Sequence, residues 1–190
     1  MSVKVLGISG SLRAGSFNSM LVKCALEGAR AAGAEATYAD LRSFALPVFD
    51  EDLEKQGTPD GAKRLKELMK SHHAILIASP EYNSSVTAAL KNAIDWATRP
   101  AAGEAPLAAF SGKVAGLLAA SPGALGGLRG LVHLRAILGN IGVIVLPEQV
   151  AVMKAHEAFD AAGEIKDAKQ RDTVRALGAR AAAVAGKLLA

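Results

Sequence analysis

The sequence predicts a doubly wound α/β sheet, and three observations carry that expectation. Short apolar runs alternate with helix-period segments from one end of the 190 residues to the other. The central run, Ala74-Ile-Leu-Ile-Ala78, is apolar at every position, as a parallel strand covered on both faces requires. Three loops of unusual chemistry each leave a strand-like run and enter a helical one, which gathers them over the carboxyl ends of the strands.

Taken in order, strands are expected at 3–8, 35–39, 74–79, 113–119 and 142–146. The first is built on Val3, Val5, Leu6 and Ile8. A helix is expected over 17–31, after a Gly/Ser loop. Residues 60–71 turn Leu65, Leu68 and Met69 to one side, with Lys63, Lys66, Glu67 and Lys70 elsewhere. Residues 86–98 space Val86, Ala89, Leu90, Ala93, Ile94 and Ala97 at helical intervals. Residues 128–139 carry Leu128, Leu131, Leu134 and Leu138 and stop at Gly139-Asn140. The last helix, about 167–188, turns Val174, Leu177, Ala181, Val184 and Leu188 inward. No repeat or low-complexity linker divides the chain, so residues 1–190 are expected to form one domain.

Composition narrows the function classes. At 51% apolar residues the chain can build a core, and no apolar run approaches the roughly 18 residues of a membrane-spanning helix. Cys24 is the single cysteine, so no intrachain disulfide can form; its place in the first helical pattern makes it a buried structural thiol. The amino terminus carries no signal-peptide pattern, and the expected location is cytoplasmic. Twenty-two basic and 18 acidic residues give a net charge of +4, scattered over helix faces, with 4% aromatics. Nucleic-acid binding would need a clustered basic patch or stacking aromatics. A mild positive excess suits anionic small molecules.

The first loop, Gly10-Ser-Leu-Arg-Ala-Gly-Ser-Phe-Asn18, joins a strand to a helix N-terminus. Such a loop offers free backbone N–H groups and hydroxyls to a phosphate, and Arg13 adds a guanidinium fork. Gly10 through Ser16 is one residue from a Walker A loop. Ser16 stands where that loop needs Lys, and Phe17 where it needs a Mg²⁺-ligating hydroxyl, so a nucleoside triphosphate is poorly served. A single terminal phosphate fits better. The loop also reads as a plain turn in which Ser16 caps the helix and Gly10 and Gly15 set the bend. The second loop, Ser79-Pro-Glu-Tyr-Asn-Ser-Ser85, offers the Tyr82 ring, the Asn83 amide and backbone groups to the edge of a planar heterocycle; as a turn, it would cap the next helix through Ser84 or Ser85. The third, Ser121-Pro-Gly-Ala-Leu-Gly-Gly127, lets backbone approach a ligand closely.

Together these segments resemble the NADPH-dependent FMN reductase family, with its quinone and chromate reductase members. The likeness rests on Gly10-Ser-Leu-Arg-x-x-Ser-x-Asn18, on Pro80-Glu-Tyr-Asn83 followed by Leu90-Lys-Asn-Ala-Ile-Asp-Trp96, and on Ser121-Pro-Gly-x-x-Gly-Gly127. It implies a flavodoxin-like fold with strand order 2-1-3-4-5. It also implies a homodimer or homotetramer with flavins near subunit interfaces, FMN as bound cofactor and NADPH or NADH as co-substrate. Carried over, Ser11, Arg13, Ser16 and Asn18 would hold the FMN phosphate. Pro80, Glu81, Tyr82 and Asn83 would line the isoalloxazine and ribityl side, and Ser121, Gly123 and Gly126 would close the pyrimidine end. Close members often place an aromatic after this Asn, where the present chain has Ser84.

The implied activity is a ping-pong transfer of two electrons from NAD(P)H through FMN to a quinone, flavin, azo compound or chromate, with no side-chain nucleophile. A flavodoxin-type electron carrier on the same fold is the alternative; such carriers tend to be strongly acidic, unlike this chain. A metal-dependent phosphate-ester hydrolase would need Asp50, Glu51 and Asp52, which read more simply as a solvated turn. His133 and Glu148 are candidates for subunit contacts or for plain surface groups.

Overall fold

The computed structural model describes residues 2–189. Five parallel strands, β1 (Lys4–Ser9), β2 (Glu35–Ala39), β3 (Ala74–Ala78), β4 (Val114–Ala120) and β5 (Ile144–Val152), lie in the order β2-β1-β3-β4-β5. The helices are α1 (Phe17–Ala31), α2 (Glu51–Lys55), α3 (Asp60–Lys70), α4 (Ala88–Thr98), α5 (Leu128–Asn140), α6 (Ala155–Ala158) and α7 (Ala168–Leu188). This is the flavodoxin-like arrangement. Among the described residues no helix is long and apolar enough to cross a membrane.

Side-chain alternation divides the strands between two cores. Val5, Leu76, Val114 and Leu118 pack against α1 and α7. Leu6, Ile8, Ile75, Ile77 and Leu117 pack against α3, α4 and α5. On the first face the helix backbones touch. A Cβ on Gly28 would stand 1.9 Å from the Arg175 carbonyl oxygen, and one on Gly178 would stand 1.8 Å from that of Ala25. Only glycine permits this crossing, and the Glu27–Arg175 ion pair at 2.6 Å closes over it.

Four strands fall within one residue of their expected bounds, whereas β5 runs six residues past its expected end, to Val152. The reason is Pro147. Proline reads as a strand stop, but β5 is an edge strand, where a missing N–H is tolerated. Its pairing also slips there: Ala115 faces Val145 while Leu117 faces Gln149, so three residues of β5 lie opposite one of β4. Three further expectations are corrected. Helix α4 begins at Ala88, capped by the Thr87 hydroxyl rather than by Ser84 or Ser85. Leu188 is exposed rather than turned inward, and the buried face of α7 ends at Ala185. Asp50, Glu51 and Asp52 are exposed, as a solvated turn implies, but the segment is helical: Asp50 caps α2, accepting N–H bonds from Asp52 at 2.7 Å and Leu53 at 3.3 Å.

Cys24 is buried, and burial, with the charge of Glu27 adding to it, pushes its thiol up to about 11. A protonated, enclosed thiol is unreactive.

Candidate functional site

The loops after β1, β3 and β4 meet over the sheet edge and enclose a pocket. Ser11, Arg13, Ser16, Asn18, Pro80, Glu81, Tyr82 and Ser121 line it, with Phe17, Ala120 and Pro122. Asn83, Gly123 and Gly126, the remaining site residues expected from sequence, lie outside that wall.

The first loop is held by its own hydroxyls. The Ser9 Oγ accepts the Ser11 amide and the Ser11 Oγ accepts the Arg13 amide, each at 3.3 Å. Thr87 anchors the loop from across the sheet edge: its Oγ1 donates to the Gly10 carbonyl at 2.6 Å and accepts the Leu90 amide at 3.2 Å. Gly15 takes φ +61°, as the turn into α1 requires. Ser16 caps α1, accepting the Ser19 amide at 3.4 Å, and its own O–H stays available to a ligand. Capping and phosphate contact are therefore compatible roles for one residue. The first turn of α1 carries no acidic residue. The Arg13 side chain is exposed and forms no ion pair among the described residues.

Asn18, which lines the pocket where a phosphate contact is expected of it, also has a structural task. It is 3% exposed, and its amide donates to the Ala120 carbonyl at 2.8 Å and accepts the Ala120 N–H at 2.9 Å. The oxygen and one N–H are engaged, so the side chain pins α1 to the end of β4 and fixes the distance between the first and third loops.

The second loop is a hairpin turn. Tyr82 and Ser85 exchange two backbone hydrogen bonds of 3.0 Å, and Asn83 and Ser84 have φ of +50° and +65°. Positive φ at both central residues is the type I′ pattern, which favours small polar residues. The Tyr82 ring stands 53% exposed at the pocket mouth, while its N–H is committed to the hairpin. The Ser85 hydroxyl meets His133 Nδ1 at 2.9 Å, tying the hairpin to α5.

Glu81 caps α5 from this loop. The residue before α5, Gly127, has φ +91° and no side chain to offer. Glu81 instead accepts the Arg129 amide at 3.0 Å and the Gly130 amide at 3.3 Å, and pairs with the Arg129 guanidinium at 2.5 Å. Burial alone would raise this carboxyl; the Arg129 guanidinium and the two amides outweigh it and hold it below the usual range. Its charge is thus neutralised before any anion arrives.

In the third loop the Ser121 hydroxyl accepts the Gly123 amide at 3.2 Å. Gly126 has φ +62°, and a Cβ there would come within 2.9 Å of the Val152 carbonyl carbon. The glycine thus serves close packing of the loop on β5. Sequence reasoning missed Phe17, which stacks on Phe159 at 5.6 Å, and Pro122. Each adjoins a residue that was singled out, so their proximity in sequence was the available signal.

The donor set suits a phosphorylated planar cofactor. Hydroxyls and an unpaired guanidinium stand at a helix N-terminus, apolar walls come from Phe17, Pro80, Pro122 and Tyr82, and the one carboxylate is already paired.

The sequence pattern of the family described as NADPH-dependent FMN reductase matches residues 3–157. An NAD(P)H-dependent FMN reductase from Pseudomonas aeruginosa is 41% identical over 174 residues, covering 91% of this chain and 90% of that protein. An NAD(P)H:quinone oxidoreductase from Solanum tuberosum is 34% identical, covering 98% and 94%. The solved structure of a flavoenzyme NAD(P)H:(acceptor) oxidoreductase from Paracoccus denitrificans superposes with a TM-score of 0.82 at 29% identity, covering 97% and 98%. Fold, pocket chemistry and sequence agree: the chain belongs to the NADPH-dependent FMN reductase family and is an FMN- and NAD(P)H-dependent oxidoreductase.

Proposed function

We propose that the protein passes two electrons from NAD(P)H, by way of FMN seated in the three-loop pocket, to a small acceptor such as a quinone, free flavin, azo compound or chromate. The observation that carries this reading is the unpaired Arg13 beside two serine hydroxyls at the N-terminus of α1, facing apolar walls across one pocket. Bound FMN supplies the redox chemistry, accepting reducing equivalents from NAD(P)H and yielding them to the acceptor.

The chain's own residues bind, orient and exclude water. Arg13, Ser11 and Ser16 hold the phosphate; Asn18 sets the span between two loops through Ala120. Pro80, Tyr82 and Pro122 exclude water from the ring faces, and Asn83, at the hairpin tip, offers an amide to the outer edge. Glu81 keeps the second and third loops in register through Arg129 and Gly130. Ser121, Gly123 and Gly126 shape the far end. No side-chain nucleophile is required. The exposed apolar residues Leu125, Leu128 and Val132, on and before α5, support assembly as a homodimer or homotetramer; light scattering distinguishes these from a monomer.

Initial rates measured with NADPH and a quinone varied together test the transfer. Parallel reciprocal lines are expected for alternating binding at one site, and intersecting lines would contradict it.

A further inference from the structure

We propose that a groove running from the phosphate loop past the end of β2 receives the 2′-phosphoadenosine end of NADPH. The inference rests on the NAD(P)H-oxidising reading above and adds where the second phosphate of the nucleotide is recognised.

A second hollow opens beside the flavin pocket and shares Arg13 and Ser16 with it. Lys23, Tyr38, Asp40 and Arg42 line its outer part, with Gly15, Ser19 and Met20 between. Lys23 Nζ stands 4.9 Å over the Tyr38 ring and forms no ion pair among the described residues. Arg42 grips the Asp40 carboxylate through Nε at 3.0 Å and a terminal nitrogen at 2.6 Å. With Arg13 assigned to the FMN phosphate, Lys23 and Arg42 face one carboxylate that Arg42 already matches, and the hollow keeps a positive excess. Beyond Arg42 lies a third hollow of about 280 Å³, lined by Arg42 with Leu12, Leu41, Leu46 and Ala89, and mainly apolar.

An anion site beside a flat apolar site is the shape of a phosphorylated purine nucleoside. NADPH differs from NADH by one phosphate on the adenosine ribose, next to the purine. In dinucleotide-binding folds with a glycine-rich first turn, an acid beyond the first helix accepts the ribose 2′-hydroxyl or a nearby Arg accepts a 2′-phosphate. This chain offers both residue types after β2, although its own first turn serves FMN. Here the acid is present as Asp40, but Arg42 screens it and removes its repulsion toward a phosphate. Lys23 supplies the remaining charge, and the leucines of the third hollow receive the adenine. Arg13 and Ser16 border both this hollow and the flavin pocket, and Arg42 borders both outer hollows, so one extended nucleotide can span them.

Titration calorimetry on the FMN-loaded protein with 2′,5′-ADP, 5′-AMP and inorganic phosphate tests the assignment. The wild type is expected to bind 2′,5′-ADP at least about tenfold tighter than 5′-AMP, the worth of one charge-assisted contact. Lys23→Gln and Arg42→Gln should each shrink that ratio and lower the NADPH-to-NADH ratio of kcat/KM. Ala89→Leu should weaken both nucleotides by filling the apolar hollow. Equal binding of the two nucleotides by the wild type would overturn the proposal, as would a ratio that survives both charge substitutions. Phosphate competing as well as 2′,5′-ADP would reduce the groove to a bare anion site and overturn the nucleotide assignment. Because these ligands bind without turnover, failure here is distinguishable from failure of NADPH to reduce the flavin.

Discussion

The two ends of the sheet hold residues of comparable chemical type in opposite states. At the amino end, Lys4, His72, His73 and Lys113 form a cluster that by residue type alone is more reactive than anything in the pocket. Yet every group there has a partner. The Lys4 amide donates to His73 Nδ1 at 3.0 Å, His72 Nδ1 meets the Leu68 carbonyl at 2.7 Å, and Lys113 Nζ donates to the carbonyls of Lys70 and His72. At the carboxyl end, Arg13 has no acidic partner among the described residues, and the Ser11 and Ser16 hydroxyls keep a hydrogen to give. Buried partnered groups hold a fold together; unpartnered groups aimed into a concavity await a ligand.

Substitutions at the two kinds of site should separate stability from binding. The largest effect is expected away from the pocket, at the glycine crossing. Gly28→Ala drives a Cβ into the Arg175 carbonyl and should cost about 3 kcal/mol of folding stability in a denaturant titration. A loss under about 1 kcal/mol would show that α1 and α7 shift freely.

Arg13→Ala should do the reverse. The melting temperature of the flavin-free protein should hold, while FMN binding weakens by about 1.5–3 kcal/mol, the range for a hydrogen bond to a charged group. Unchanged FMN affinity in a fluorescence titration would remove Arg13 from the site.

Glu81→Gln stands between the two. It keeps the shape of the remote cap but loses the charge facing Arg129 and the α5 N-terminus, for an expected cost of about 1 kcal/mol by thermal melting. No change would mean that the two loops are held together by other contacts.

The smallest effect concerns pH at the amino end. Burial, reinforced by the neighbouring lysines, lowers the pKa of both His72 and His73 below their ordinary 6.5. On acidification the unfolded chain takes up protons near that value, before the folded one does. Stability from these groups is therefore complete above about pH 6.5 and falls as pH drops below it. Melting temperatures across that range should decline on acidification, and less so in His72→Gln. A profile identical in the variant would exclude His72 as a source.

Much of this organisation was legible because it depends on local pattern. Alternating apolar runs and helical periods located all five strands, and Ala74–Ala78 announced its double burial through composition alone. The pocket loops were legible because strand–loop–helix units of a parallel sheet must bring their loops to one edge. What escaped depended on contacts between distant residues. That Asn18 binds the Ala120 backbone, or that Glu81 caps a helix beginning at Leu128, is set by tertiary geometry that no spacing encodes. The full length of β5 escaped for the same reason, since the tolerance of Pro147 follows from the edge position of the strand. The hollow at Lys23 and Arg42 was equally hidden: the two residues lie on different elements and meet only because β2 lies beside β1.

The most direct test of the central claim is the visible spectrum of the purified protein supplied with FMN, followed anaerobically as NADPH is added. The account predicts a bound flavin spectrum that NADPH bleaches within the dead time of manual mixing and that a quinone restores. A protein that fails to bind FMN, or binds it and leaves it oxidised in the presence of NADPH, would contradict it.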